Sequence, residues 1–409
     1  MQRDETSGIE PRALGRRLQE ARRARGMTQQ DVADTLGLAR TTVTALEKGE
    51  RRARPDEIIR MAGIFGRSVG DLVGDREPIP DFAVQFRTAV SDAGSEQAQE
   101  EMSQAVLEFQ RLCEDYLYIE RLSGTSLQQN YIPQYSIPGA SPEIAAEDVA
   151  SAERNRLGLG DGPILNLREV LEDDVAIRVF STNLPSRVAG LFAYTAELGG
   201  CIAVNALHPQ ERRRWSMAHE YGHFLTSRFH SEISILGTFR RVPAAERFAD
   251  AFARCFLMPA TGLRRRFNEM SRANDSVMTA ADICRISHYY FVSVETMTLR
   301  LEELRLLPGG TWDRLRDRGF RVREAQQQLG LAHRPDGDSA LPIRYQLLVI
   351  RAYGEGNLTE GELSRLLRSD RVSARRTVQR MTQTQHIVEG GELESLTIDL
   401  AARLAGQGA

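Results

Sequence analysis

Lysine is nearly missing from this chain: Lys48 is the single one, and every other basic residue is arginine. Cysteine is scarce as well. Cys113, Cys201, Cys255 and Cys284 stand alone with no C-x-x-C pair, which excludes a disulfide framework and a Cys-type zinc site. They read as reduced, mostly buried thiols in a cytoplasmic protein. No apolar run reaches membrane-spanning length, so a membrane is not expected as a partner. The opening MQRDETSGIEPRALGRRL carries charges with no apolar run behind it, so no secretory signal is expected. What remains is ordinary soluble composition, 41% hydrophobic and 27% charged over 409 residues, enough for two or three separate cores.

The most informative stretch is Trp215-Ser-Met-Ala-His-Glu-Tyr-Gly-His223, which has the H-E-x-x-H spacing of zinc hydrolases. On a helix, His219 and His223 project from one face a turn apart, and Glu220 lies about 100° further round. Two neutral imidazoles can hold Zn2+ there while the carboxylate takes a proton from the water that the ion activates. Trp215, Ala218, Gly222, Leu225 and Phe229 recur at helical intervals and predict an apolar stripe opposite the histidines. A second helix is expected after Pro243, placed at its first position, with Phe248, Phe252 and Phe256 on one side and Glu246 and Asp250 together on another. Glu246 is the preferred third ligand. Asp250 then suits an acceptor for the distal N–H of a ligating histidine, although both carboxylates could also form a solvated acidic face.

These residues resemble the ImmA/IrrE family of metallopeptidases. The chain reads CIAVNALHPQERRRWSMAHEYGH and then ERFADAFARCFLMP, and the likeness covers roughly residues 141 to 309, including Leu157-Gly-Leu-Gly160 and Phe291-Val-Ser-Val294. The resemblance implies His219, His223 and Glu246 as metal ligands, Glu220 as catalytic base and a zincin-like α+β domain with a small sheet. Tyr221 replaces the aliphatic residue common at its position. Tyr194, His230, His288, Tyr289 and Tyr290 are open alternatives for an oxyanion donor. Strands are expected at Ile177–Phe180, Gly190–Tyr194 and Ile202–Asn205, with a turn at Glu197–Gly200, and their open edge would pair with an extended substrate.

The first 75 residues carry an independent pattern. Thr28 caps a helix to Leu36, Gly37 makes a turn, Ala39 to Lys48 form a further helix ended by Gly49, and another follows Pro55. The segment resembles an XRE-type helix-turn-helix domain of five helices. That resemblance implies double-stranded DNA as partner, with Arg40, Thr41, Thr42 and Thr44 near bases or phosphates and Gln29 on the backbone. Charge agrees: between Arg12 and Arg67 there are 13 basic against 7 acidic residues, in a chain of net charge −3. Helix-turn-helix modules often bind as dimers, so a homodimer is an expectation.

Gly74 to Pro80 reads as a hinge, and Glu96 to Leu122 as a helix with Met102, Ala105, Val106, Phe109, Leu112 and Tyr116 on one side. A second break is Tyr131-Ile-Pro-Gln-Tyr-Ser-Ile-Pro-Gly139. Beyond residue 310, Thr359-Glu-Gly-Glu362 is a capping box for a helix bearing Leu363, Leu366 and Leu367, and Ser373 opens another with Val378 and Met381. That pair looks like another helix-turn-helix or an interaction hairpin. Arg371, Arg375, Arg376 and Arg380 are either a solvated face or a nucleic-acid contact. The fold class expected is multidomain and mainly α: a helix-turn-helix domain at 1–75, a helical linker at 76–140, a metallopeptidase domain at 141–309 and a helical domain at 310–409.

The function expected is a cytoplasmic DNA-binding regulator with a zinc-dependent endopeptidase, cleaving a helix-turn-helix repressor or antitoxin-like protein in a stress, phage or mobile-element response. The linker helix or residues 310–409 are expected to gate the cleft. The same ligands would equally serve a non-proteolytic repressor or antitoxin whose zinc is structural or sensory, since ligands do not disclose turnover.

Overall fold

The computed structural model describes residues 10–65, 69–73, 82, 86, 90, 95–136, 141–230, 232–235, 243–273, 278–331, 340–387 and 393–397. The expected hinge at 74–80 and the last three residues of the 131–139 break lie outside these. The chain divides into two units, Met1–Arg87 and Thr88–Ala409.

In the first unit five helices follow one another: α1 Pro11–Ala24, α2 Gln29–Leu36, α3 Arg40–Glu47, α4 Pro55–Phe65 and α5 Val69–Val73. Thr28 and Asp31 form a reciprocal capping box at the start of α2, and Gly37 ends it in the left-handed conformation. Leu14, Leu18, Val32, Val43, Leu46 and Met61 are buried at the centre of its core. A buried ion pair ties α1 to α3, with Arg22 Nε 2.5 Å from Glu47 Oε1. Helix α1 approaches so closely that a Cβ on Gly15 would fall 2.5 Å from the Leu46 carbonyl oxygen.

The second unit begins with the long helix α6, Glu96–Leu122, whose expected apolar residues are all buried. Its partners are the sheet and the carboxy-terminal helices. Helix α7, Pro142–Arg156, starts with proline in the first turn. After the short helical segment Leu167–Asp174 come β1 Arg178–Thr182, β2 Val188–Thr195 and β3 Gly199–Asn205, then α8 Gln210–Ser227, β4 Glu232–Ile235 and α9 Ala244–Leu257. Four strands form the sheet, in the order β1-β3-β2-β4, with β1 parallel to β3 and the other pairs antiparallel. Sequence patterning gave three of them. Strand β4 covers the outer edge of β2, and on β1 the Ser181 N–H donates to the Ala340 carbonyl.

Helix α8 packs on β2, β3 and α9, so it is buried on nearly every side and does not show one apolar stripe. Phe229 lies past its end and is 68% exposed. Of the three arginines in its first turns Arg212 is exposed and two are internal donors, Arg213 to the Ala206 carbonyl and Arg214 to those of Ile164 and Leu165. Pro243 is the residue before α9, not its first turn, yet Phe248, Phe252 and Phe256 stack in sequence and are buried as the spacing requires. Helices α10 Ala260–Ala273, α11 Ala280–Tyr290, α12 Val294–Glu303, α13 Thr311–Asp317 and α14 Val322–Gln328 follow. The chain continues through α15 Ile343–Gly354, α16 Glu360–Leu366 and α17 Arg371–Thr382 into an antiparallel hairpin, β5 Gln383–Ile387 and β6 Leu393–Thr397.

Candidate metal centre

One turn of α8 brings His219 and His223 together, and the first turn of α9 brings Glu246 to them. The two Nε2 atoms are 3.0 Å apart, His219 Nε2 lies 3.4 Å from Glu246 Oε2, and His223 Nε2 lies 3.6 Å from Glu246 Oε1. Ligands about 2.0–2.1 Å from a tetrahedral zinc ion would stand about 3.3 Å from one another. The three donors fit that spacing, and among the described residues they form a group able to share one ion. Two imidazoles and a carboxylate are also the donor chemistry that zinc accepts while leaving a position for water or substrate.

Asp250, one turn further along α9, accepts from His219 Nδ1 at 2.9 Å. This keeps a proton on Nδ1 and aims Nε2 at the centre. Burial alone would lower the pKa of His219, but the hydrogen bonds to Asp250 and Glu246 and the charge of Glu220 outweigh it and raise the pKa to about 10. The electrostatics that retain a proton here would equally favour a cation.

Glu220 is fully buried beside the histidines. Its carboxylate lies against the backbone of Gly190, where a Cβ would stand 2.5 Å from Oε1. Gly190 sits at the irregularity where the register of β2 with β4 shifts between Val188 and Gly190. A bulge beside a reactive carboxylate is a common way for a sheet to aim or admit a side chain. Nothing in the sequence pattern marked Gly190, because the contact joins two elements distant in the chain.

Tyr221 points away from the metal side. Its hydroxyl donates to Glu153 of α7, which also takes hydrogen bonds from Arg156 and Tyr135. Burial and the neighbouring Glu153 push the Tyr221 hydroxyl well above its ordinary pKa and that of Tyr135 up to about 12. The tyrosine at this position therefore anchors α8 to α7. Gly222 lets α8 pack closely on α9, since a Cβ there would meet Ala249 Cα at 3.1 Å. Asn205, at the end of β3, binds the Leu184, Pro185 and Val188 carbonyls and shapes the loop between β1 and β2. Gly158 and Gly160 are left-handed, and Arg154 binds the carbonyl of Gly160. Of the five oxyanion alternatives, Tyr290 places its hydroxyl beside Gly262 of α10, and Tyr289 lies beneath the Arg266 guanidinium of the same helix.

In the first unit, Arg40 and Thr41 are exposed at the start of α3 and Thr42 is half-buried. Gln29 and Thr44 bind each other, with the Thr44 hydroxyl donating to Gln29 Oε1 at 3.0 Å and the Gln29 amide donating to Glu47 at 2.8 Å. The polar groups of Gln29 thus hold α2 against α3 in this structure.

Family models match two segments: a helix-turn-helix model over residues 18–72, and a peptidase model described as the IrrE N-terminal-like domain over residues 172–302. No curated protein matches the chain. A solved structure, that of ComR from Streptococcus suis, aligns at 11% identity over 90% of this chain and 87% of that one, with a TM-score of 0.16. The chain therefore joins a helix-turn-helix domain to an IrrE N-terminal-like peptidase domain.

Proposed function

We propose that the chain is a cytoplasmic DNA-binding regulator whose second unit is a zinc-dependent endopeptidase acting on a helix-turn-helix repressor or antitoxin-like protein. The observation that carries this reading is the convergence of His219, His223 and Glu246 at the spacing of zinc ligands, with Asp250 behind one imidazole and Glu220 beside them. His219, His223 and Glu246 would hold the ion. Zinc bound there supplies Lewis acidity, which polarises a peptide carbonyl and acidifies water.

The chain's own groups do the rest. Glu220 takes a proton from the attacking water and returns it to the leaving amine nitrogen, and its burial limits exchange of that proton with solvent. Asp250 keeps His219 in the tautomer that offers Nε2. Strand β4 ends the sheet beside the irregularity that backs Glu220. Its outer backbone edge is where an extended substrate segment would pair. The first unit recruits the protein to an operator, with Arg40, Thr41 and Thr42 facing bases or phosphates and Gln29 and Thr44 supporting them.

The test is cleavage of helix-turn-helix repressors encoded beside this chain by the zinc-loaded protein. Cleavage that a chelator stops, and that Glu220→Gln reduces by about 10²–10⁴-fold with zinc content retained, is expected. Full activity in that variant would remove Glu220 from the chemistry. No cleavage of any candidate, together with operator binding that changes with zinc, would instead favour a non-proteolytic regulator.

A further inference from the structure

The last helices of the second unit repeat the landmarks of the DNA-facing half of the first. Helix α16 opens with a capping box in which the Thr359 hydroxyl accepts from the Glu362 N–H and the Glu362 carboxylate accepts from the Thr359 N–H, as Thr28 and Asp31 do at α2. One constant interval separates Thr28 from Thr359, Asp31 from Glu362, Val32 from Leu363, Leu36 from Leu367, Gly37 from Arg368 and Val43 from Ala374. The physical roles recur with it. Val32 and Leu363 are fully buried, Leu36 and Leu367 are buried at the end of the first helix, and Val43 and Ala374 are buried on the second, where α3 also buries Leu46 and Glu47. Gly37 and Arg368 both take the left-handed backbone, at φ 68° and 51°. Arginine in that conformation is strained, so it points to a turn whose geometry is imposed by the helices on either side.

The surrounding support also recurs. A side chain from a neighbouring helix binds the last carbonyl of each first helix: Arg60 to Leu36 at 2.9 Å, and the Tyr345 hydroxyl of α15 to Leu366 at 3.0 Å. Asp370 caps α17 by accepting from the Val372 and Ser373 N–H groups. Immediately after α17 the chain forms the hairpin β5–β6, giving three helices followed by a two-stranded wing.

The chemistry of α17 fits a polyanion. Its twelve residues include four arginines and no carboxylate. Arg371, Arg375, Arg376, Gln379 and Arg380 are exposed on one broad face, and of the four arginines only Arg375 is held in an ion pair among the described residues, to Glu360 at 2.5 Å. Val372 is 57% exposed beside Arg371. A solvated charged face explains the arginines alone, but not the repeated cap, turn and buried positions or the wing. Strand β6 carries Glu394 and β5 no basic residue other than His386, so the contact falls on α17.

We propose that residues 343–397 are a second duplex-DNA-binding module, a winged helix-turn-helix in which α17 enters the major groove. Arg371, Arg376 and Arg380 contact phosphates or guanine edges, and Val372 is placed for a thymine methyl. This assignment does not depend on the peptidase reading.

The test uses the full chain carrying Arg40→Glu, which weakens the first module, and a fluorescein-labelled duplex of random sequence followed by anisotropy across salt concentrations. Duplex binding should persist in that background. Adding Arg371→Gln, Arg376→Gln and Arg380→Gln should lower affinity by about tenfold or more and reduce the slope of log K against log salt by about two to three. The thermal melt should stay unchanged, because the three sites are exposed. If it shifts, the matching Arg→Lys triple keeps the charge and should keep the slope while losing enrichment of guanine-containing sites in selection from a random pool. Absence of duplex binding in the Arg40→Glu chain, an unchanged slope in a folded Gln triple, unchanged selection by the Lys triple, or tighter binding of single-stranded RNA than of duplex would each overturn the assignment.

Discussion

At the scale of single residues, the His219–Asp250 pair couples the centre to pH. In the metal-free chain the folded pKa of His219, about 10, lies above its ordinary 6.5. The stabilisation from its protonated form is therefore complete below the unfolded value and lost as pH rises through about 10. Zinc displaces the same proton, so its affinity should rise by about tenfold per pH unit between roughly pH 6 and 9. Calorimetry in buffers of different ionisation enthalpy should read about one proton released. Asp250→Asn should weaken zinc binding by about 10–100-fold without abolishing it. Gly190→Ala addresses the base alone. Its new methyl would displace the Glu220 carboxylate, so cleavage should fall by about a hundredfold while zinc content, read by metal analysis, stays normal. The pairing of His219 with His223, and of Glu246 with Asp250, was legible in the sequence because a spacing of four puts each pair on one helix face, whereas their convergence is set by the packing of α8 on α9. Gly190 and Glu153 were not legible, since each meets the metal helix from an element far away in the chain.

Helices and strands show the same division between local and distant causes. The first unit was readable almost to the residue, because caps, left-handed glycines and apolar spacing are local signals: Thr28, Gly37, Gly49 and Pro55 all do what their chemistry implies. Helix α8 lacks the single apolar stripe that its spacing predicts, because it is buried on nearly every side. Arg213 and Arg214 donate inward, to the Ala206, Ile164 and Leu165 carbonyls. Strand β4 was missed because four residues between two helices give no usable alternation. Helix packing in the first unit gives a further prediction: Gly15→Ala pushes a methyl into the backbone of α3 and should destabilise that unit by about 1–3 kcal/mol. Thermal or denaturant unfolding would measure this, and weakened operator binding should accompany it. An unchanged melt would mean that α1 and α3 can separate without loss.

Across the second unit as a whole, α6 is a spine. Buried Glu120 pairs with Arg178 of β1 at 2.5 Å and also with Arg344 of α15, while Asp115 pairs with Arg365 and Arg368 at 2.8 and 3.0 Å. The sheet on which α8 packs and the carboxy-terminal helices are thus ion-paired to one helix. Glu120→Gln leaves a buried guanidinium without its counter-charge and should cost about 3–5 kcal/mol, visible as a lowered denaturation midpoint. This arrangement was not legible in the sequence, where α6 showed only an apolar face in need of a partner. X-ray absorption at the zinc edge of the full, zinc-loaded chain tests the central claim most directly. Two imidazole nitrogens with oxygen ligands at about 2.0–2.1 Å, lost together in Glu246→Ala, are expected. Sulfur in the coordination shell, four protein ligands, or an unchanged spectrum in Glu246→Ala would contradict it.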